Sequence, residues 1–143
     1  MRLRTLLALS ATTVLLAGCG SDGPTGRDGS PATADDLDGN TYASSEVTGH
    51  DMVVDTQVTL AFTDSNLAVD AGCNTQTAGF EVTDGTLKWS GPAASTMKAC
   101  SDELMAQDQW LAEIFTEGVT ADIEGSTLIL TTSDDAEIVL ETS

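Results

Sequence analysis

The chain has 143 residues, with 23 acidic side chains against five lysines and arginines, a formal charge of −18 and a pI near 4.1. That length suits one domain, and a 41% hydrophobic share can build a modest core. A polyanion is repelled by nucleic acid and by anionic lipid, so neither is expected as a direct partner of the folded part.

The N-terminus reads as a sorting signal. Arg2 and Arg4 precede an apolar run over residues 6–16, much shorter than the ~20 residues a spanning helix needs. The run ends in Leu16-Ala17-Gly18-Cys19. Small residues at the two positions before a cysteine suit a peptidase with narrow subsites. This segment resembles the lipobox of bacterial lipoproteins, whose cysteine is diacylated and becomes the mature N-terminus. An ordinary signal peptide with a stray cysteine is the competing account. On the lipobox reading residues 1–18 are a leader and Cys19 carries the membrane anchor. The protein is then exported to the outer face of the cell membrane, or to the periplasmic side where the host has an outer membrane. Acyl chains contribute ~0.8 kcal/mol per buried CH₂. Cleavage before Cys19 leaves 125 residues and removes Arg2 and Arg4, so the charge moves from −18 to −20.

Residues 19–36 read as the lipidated cysteine and a flexible tether. Beyond Cys19 the segment holds Gly, Ser, Asp, Thr, Ala, Pro and one arginine, with no apolar side chain larger than alanine. Such a coil reaches ~20–25 Å, and the domain is expected over residues 37–143. Residues 40–45 form a weak first strand carrying Tyr42, followed by a loop or hairpin over 46–56 with the only histidine, His50. Val58, Leu60 and Phe62 alternate with polar neighbours, as a half-buried strand requires. Residues 63–66 are a turn cluster before a strand at 67–69. Residues 72–82 continue as strand through Phe80, and Asp84-Gly85 marks a tight hairpin into Leu87-Lys88-Trp89.

One helix interrupts the series near residues 101–117. Ser101 can cap it, Asp102 and Glu103 suit its positive first turn, and Gly118 can stop it. Leu104, Trp110, Leu111, Ile114 and Phe115 recur at near-helical spacing. Strands at 119–123, 127–131 and 137–140 follow, joined by turn-like residues. The fold class is therefore mainly β (α+β): an antiparallel meander of about eight strands curled into a small barrel or sandwich, with one helix.

Setting Cys19 aside leaves Cys73 and Cys100. An even remainder in an exported chain points to one disulfide, worth ~3 kcal/mol on a loop-entropy estimate. Two buried free thiols are the alternative. A metal site is disfavoured with a single histidine, and redox catalysis wants two neighbouring thiols.

Four motifs share one resemblance. Ala71-Gly72-Cys73-Asn74 with Gly79-Phe80, the run Thr96-Met97-Lys98-Ala99-Cys100, the opening Leu37-Asp38-Gly39-Asn40-Thr41-Tyr42 and the closing Gly125-Ser126-Thr127-Leu128-Ile129-Leu130 occur in order. Together they resemble the META-domain (HslJ-like) family of bacterial lipoproteins, with Tyr42 where that family usually has tryptophan. The resemblance implies a small antiparallel β domain with one helix. It implies association with heat shock, antibiotic tolerance, secretion or motility, and no established reaction. Gly72 can support a tight or left-handed backbone and Asn74 can hydrogen-bond the same turn. Thr96 and Met97 are expected to pack and bond beneath the disulfide.

Catalytic signatures are weak. No Gly-x-Ser-x-Gly elbow occurs, and His50 has no nucleophile partner in the sequence. Asp35-Asp36 and Asp134-Asp135 fall in tether and turn, with nothing to set them across a cleft. Asp36-x-Asp38-x-Asn40 imitates the start of an EF-hand loop, but Thr41 and Val47 break the pattern. The expected role is non-enzymatic, with no catalytic, metal or cofactor site: a lipid-anchored envelope protein that binds an envelope partner or supports stress tolerance or secretion, as a monomeric domain. The alternative is a small-ligand carrier using a cavity inside a curled meander.

Overall fold

A computed structural model describes residues 29–143 of the chain. The expected leader, Cys19 and most of the tether lie outside the described residues.

The strands are β1 (Ser30–Pro31), β2 (Thr41–Thr48), β3 (Thr59–Thr63), β4 (Asn66–Asp70), β5 (Thr75–Thr83), β6 (Thr86–Trp89), β7 (Ala94–Ser95), β8 (Val119–Glu124), β9 (Thr127–Thr131) and β10 (Glu137–Thr142). Two helices, α1 (Ala34–Leu37) and α2 (Asp102–Glu117), complete the set. Every pairing is antiparallel. The order β8-β6-β5-β4-β3-β2-β10-β9 closes on itself through β8–β9, giving an eight-stranded barrel to which β1 and β7 are added. The expected curled meander is thus a closed barrel, which leaves its eight main strands no free edge.

Turn chemistry explains the short connections. The registers Thr63↔Asn66, Thr83↔Thr86 and Glu124↔Thr127 leave two-residue loops. Asp64 and Ser65, and Asp84 and Gly85, all take positive φ, the conformation that matches the twist of paired strands. Alternate residues then point inward: Leu60 and Phe62, Leu67 and Val69, Ala78 and Phe80, Leu87 and Trp89 are buried. Phe62 sits edge-on to both Tyr42 and Phe80 at 6.0 and 5.0 Å between centroids, a favoured aromatic geometry.

Helix α2 behaves as its sequence requires. The Ser101 side chain accepts from the Leu104 N–H, and Gly118 ends the helix at φ 104°. Its inner face places Leu111, Ile114 and Phe115 in the same core as Leu87 and Trp89, with Phe115 and Trp89 rings 5.7 Å apart. No helix among the described residues is long and apolar enough to cross a membrane.

The fold begins earlier than residue 37. Ser30 and Pro31 pair with Ile123 and Asp122, and the Ala32 N–H donates to the Ala121 carbonyl at 2.8 Å. Thr33 and Asp36 form a reciprocal capping box around α1, which buries Leu37 completely. Residues 30–36 therefore belong to the domain, and the expected tether over 19–36 shortens accordingly. Backbone pairing and a cap hold this segment, so its lack of large apolar residues concealed it. Strand β2 also runs on to Thr48, taking up residues assigned to the loop.

Candidate functional site

The motif residues converge where the β4–β5 turn meets α2. Gly72 takes φ 99°, and its N–H donates to Asp70 Oδ1 at 3.0 Å. A side chain here would also press tightly on Thr56 Cγ2 at 3.1 Å, which adds to the left-handed strain that favours glycine. The turn directs Cys73 inward, where it is bonded to Cys100 with Cα atoms 6.1 Å apart. The disulfide expected from cysteine counting is present, and it ties β5 to the residue before the α2 cap.

Asn74 is the hub. Its Oδ1 accepts from the Lys98 N–H at 2.7 Å and from the Thr96 hydroxyl at 3.0 Å. Its Nδ2 donates to Asp108 Oδ2 at 3.0 Å, and its backbone N–H donates to the same oxygen at 3.1 Å. The Thr75 N–H donates to Thr96 Oγ1 at 3.0 Å. One amide thus joins the glycine turn, the strand leading to the disulfide and the middle of α2. Thr96 holds the expected structural position. Met97 does not: its side chain is 95% exposed and packs beneath nothing. The backbone of the 96–98 segment turns to deliver the Lys98 N–H to Asn74, which leaves the intervening side chain outside.

Two residues that carry this arrangement went unnoticed in the sequence. Gln107 and Asp108 are buried on the inner face of α2. Gln107 accepts from the Val53 N–H at 2.8 Å and donates to the Ala71 carbonyl at 2.7 Å. Gln76 Nε2 donates to the Asp108 carbonyl at 2.7 Å. A signal existed: Gln107 stands between Leu104 and Leu111 at helical spacing, so a polar pair interrupts an apolar stripe.

Beside this hub lies an open groove of about 900 Å³, walled on one side by α2 and on the other by the chain from Trp89 to Ala99. Two of its lining residues also carry a buried side-chain atom with no hydrogen-bond partner among the described residues: Asp108 Oδ1 and Trp89 Nε1. Both atoms are closed off from solvent, so they lie behind the groove's surface and not in its opening.

The acidic motifs have internal duties. Asp36 accepts from the Thr33 N–H and hydroxyl at 2.9 and 2.6 Å. Those bonds, the hydroxyl's first, hold its carboxyl below the ordinary 3.8. Asp38 Oδ1 accepts from the Ser65 N–H, and Asn40 Nδ2 donates to the Asp36 carbonyl. Asp134 is held low chiefly by the Thr132 hydroxyl, with a smaller pull from His50. His50 is half-buried, its ring stacked on Trp110 at 3.7 Å and 3°, rather than free on the surface. Trp110 accordingly serves this stack while half-buried against the edge of the core.

With the geometry in place, comparison settles the kinship. A family model for the META domain matches residues 35–143. The chain belongs to the META-domain family. Among solved structures it is similar to an NMR structure of a protein from Burkholderia xenovorans, with a TM-score of 0.65 at 17% identity, covering 86% of this chain and 94% of that one. A second NMR structure gives a TM-score of 0.61 at 20% identity, covering 77% and 94%. At these identities the likeness establishes the META fold alone. No curated protein matches the chain.

Proposed function

We propose that this META-domain protein is a lipid-anchored envelope module that acts by binding a partner, not by catalysis, in the service of secretion or stress tolerance. The lipobox-like Leu16-Ala17-Gly18-Cys19 supports the anchor. A disulfide between Cys73 and Cys100 suits an oxidising compartment outside the cytosol. The observation that carries the binding reading is the open groove beside α2. The barrel interior lends the carrier reading no support. Leu60, Leu67, Leu128, Leu130, Ile138 and Leu140 are all at 0% exposure, so no water-sized space touches these inward positions.

Cell fractionation tests the anchor. The wild-type chain should sediment with membranes, and Cys19→Ser should release it; persistent sedimentation of the variant refutes lipidation at Cys19. Proximity labelling from the anchored protein tests the binding role, and failure to return any reproducible envelope protein overturns it.

A further inference from the structure

We propose that Met97 and Met105 form an oxidation site on the groove beside α2, taking oxygen from a peroxide-class oxidant and so weakening the groove's hold on its partner. The oxidation site stands on the geometry alone; its effect on the partner rests on the binding role given above.

Sulfur chemistry narrows the choice first. Cys73 and Cys100 are already joined, so the oxidisable sulfurs left among the described residues are the thioethers of Met52, Met97 and Met105. They differ sharply in access. Met97 is 95% exposed and Met105 44%, whereas Met52 packs against the core. Apart from Val54, these two are the exposed large apolar side chains among the described residues. Both line the same groove.

Backbone geometry keeps Met97 outside. The Thr96 hydroxyl and the Lys98 N–H, on either side of it, both donate to Asn74 Oδ1 at 3.0 and 2.7 Å. The Thr96 N–H donates to the Thr75 carbonyl at 3.1 Å. Turning Met97 inward would break these bonds, so its sulfur stays in solvent despite the hydrophobic cost. Met105 is set differently. Its Sδ lies 3.8 Å from Asn74 Nδ2 and 3.9 Å from Cys73 Sγ, so a change at this sulfur is felt by the hub.

The reaction balances with hydrogen peroxide. The thioether lone pair attacks one peroxide oxygen, and an S–O bond forms as the O–O bond breaks. Sulfur gives up two electrons; the departing hydroxide takes the proton of the transferred hydroxyl and leaves as water. The sulfoxide is polar where the thioether was apolar and adaptable, a change that disrupts methionine-lined contact surfaces. Access orders the steps: Met97 reacts first, and Met105 follows with a signal to Asn74.

The test exposes the full chain in detergent to hydrogen peroxide and follows each methionine by peptide mass spectrometry, each oxygen adding about 16 Da. Exposure sets Met97 roughly twofold ahead of Met105, with Met52 last. Met97 reacting no faster than Met52 overturns the site. Leucine preserves the volume of methionine, so single leucine variants should fold. In ¹⁵N spectra at a dose that spares Met52, oxidising Met97→Leu should shift the Asn74 side-chain amide, and oxidising Met105→Leu should leave it in place. An unmoved Asn74 amide in oxidised Met97→Leu overturns the coupling to the hub.

Partner capture is read by the proximity labelling given above. Met97→Gln with Met105→Gln sets a polar amide in place of each sulfoxide and should cut partner labelling roughly threefold or more. Met97→Leu with Met105→Leu should retain it. Equal labelling by the two double variants overturns the effect on the groove. Where the wild type itself labels no partner, the binding role fails and the order of oxidation still stands.

Discussion

Replacing Asn74 with alanine should reveal how much of the domain hangs on one side chain. The variant keeps the backbone N–H bond to Asp108 but loses the side-chain bonds, chiefly those to Asp108, Lys98 and Thr96. The Asp108 bond is buried and reaches a carboxylate, so its loss costs about 1.5–3 kcal/mol. Lys98 and Thr96 lie at an exposed segment where water can substitute, and they add about 0.5–1 kcal/mol each. The expected total is about 2.5–5 kcal/mol, or a fall in Tm of roughly 10–20 °C at ~4 °C per kcal/mol for a domain of this size. Urea unfolding of the oxidised protein, followed by circular dichroism, measures it. A loss below about 1 kcal/mol refutes the hub. An isosteric control separates charge from shape. Asn74→Asp sets a second carboxylate 3.0 Å from that of Asp108, and two such groups cannot both ionise comfortably. The folded variant then binds more protons than the unfolded chain, so its deficit should shrink as pH falls. A pH-independent deficit would contradict the arrangement of Asn74 against Asp108.

Further outcomes follow from the same structure. Removing the disulfide as Cys73→Ala with Cys100→Ala should cost about 3 kcal/mol, because it frees a long loop in the unfolded chain; an unchanged urea midpoint refutes this, and intact mass should rise by about two hydrogen masses on reduction of the wild type, the two thiols regained when one bridge is cut. Asp36 is held below 3.8 by Thr33, so the cap it makes is complete above that value and is lost as pH falls through the lowered one. The Thr33 amide resonance should titrate with a midpoint under 3.8 and stop titrating in Asp36→Asn; a higher midpoint refutes the cap. Gly49 has φ +78° and would place a Cβ 2.8 Å from Ala136 Cα, whereas Gly125, at φ +64°, meets nothing within 4 Å. Both alanine variants bear about 1–2 kcal/mol of left-handed strain, but Gly49→Ala should be the worse by at least about 1 kcal/mol, an overpacking cost; equal losses would deny the contact.

Much of the architecture was legible because its signals are local. Ser101 caps α2 and Gly118 ends it, Asp84-Gly85 makes the expected hairpin, and alternate apolar residues mark the inward face of each strand. The start at residues 30–36 was hidden because its partner strand, β8, lies some 90 residues away in sequence, and composition alone cannot report a hydrogen-bond partner. Met97 was misplaced for a related reason: the motif identified the segment, but backbone geometry decides which side chain faces inward.

The candidate site divides along the same line. Gly72, the Cys73–Cys100 pair, Asn74 and Thr96 stand out by residue type and spacing, because left-handed turns, disulfides and turn-bonding amides each demand particular chemistry. Asp108 acquires its role only when closure of the barrel brings α2 against β5, 34 residues from Asn74 in sequence. The groove beside α2 and the unpaired Trp89 indole likewise exist only between elements. Turns and periods are encoded by neighbours along the chain and could be read there. Which buried polar atoms go unpaired depends on contacts between distant segments, so it is decided by the tertiary structure alone.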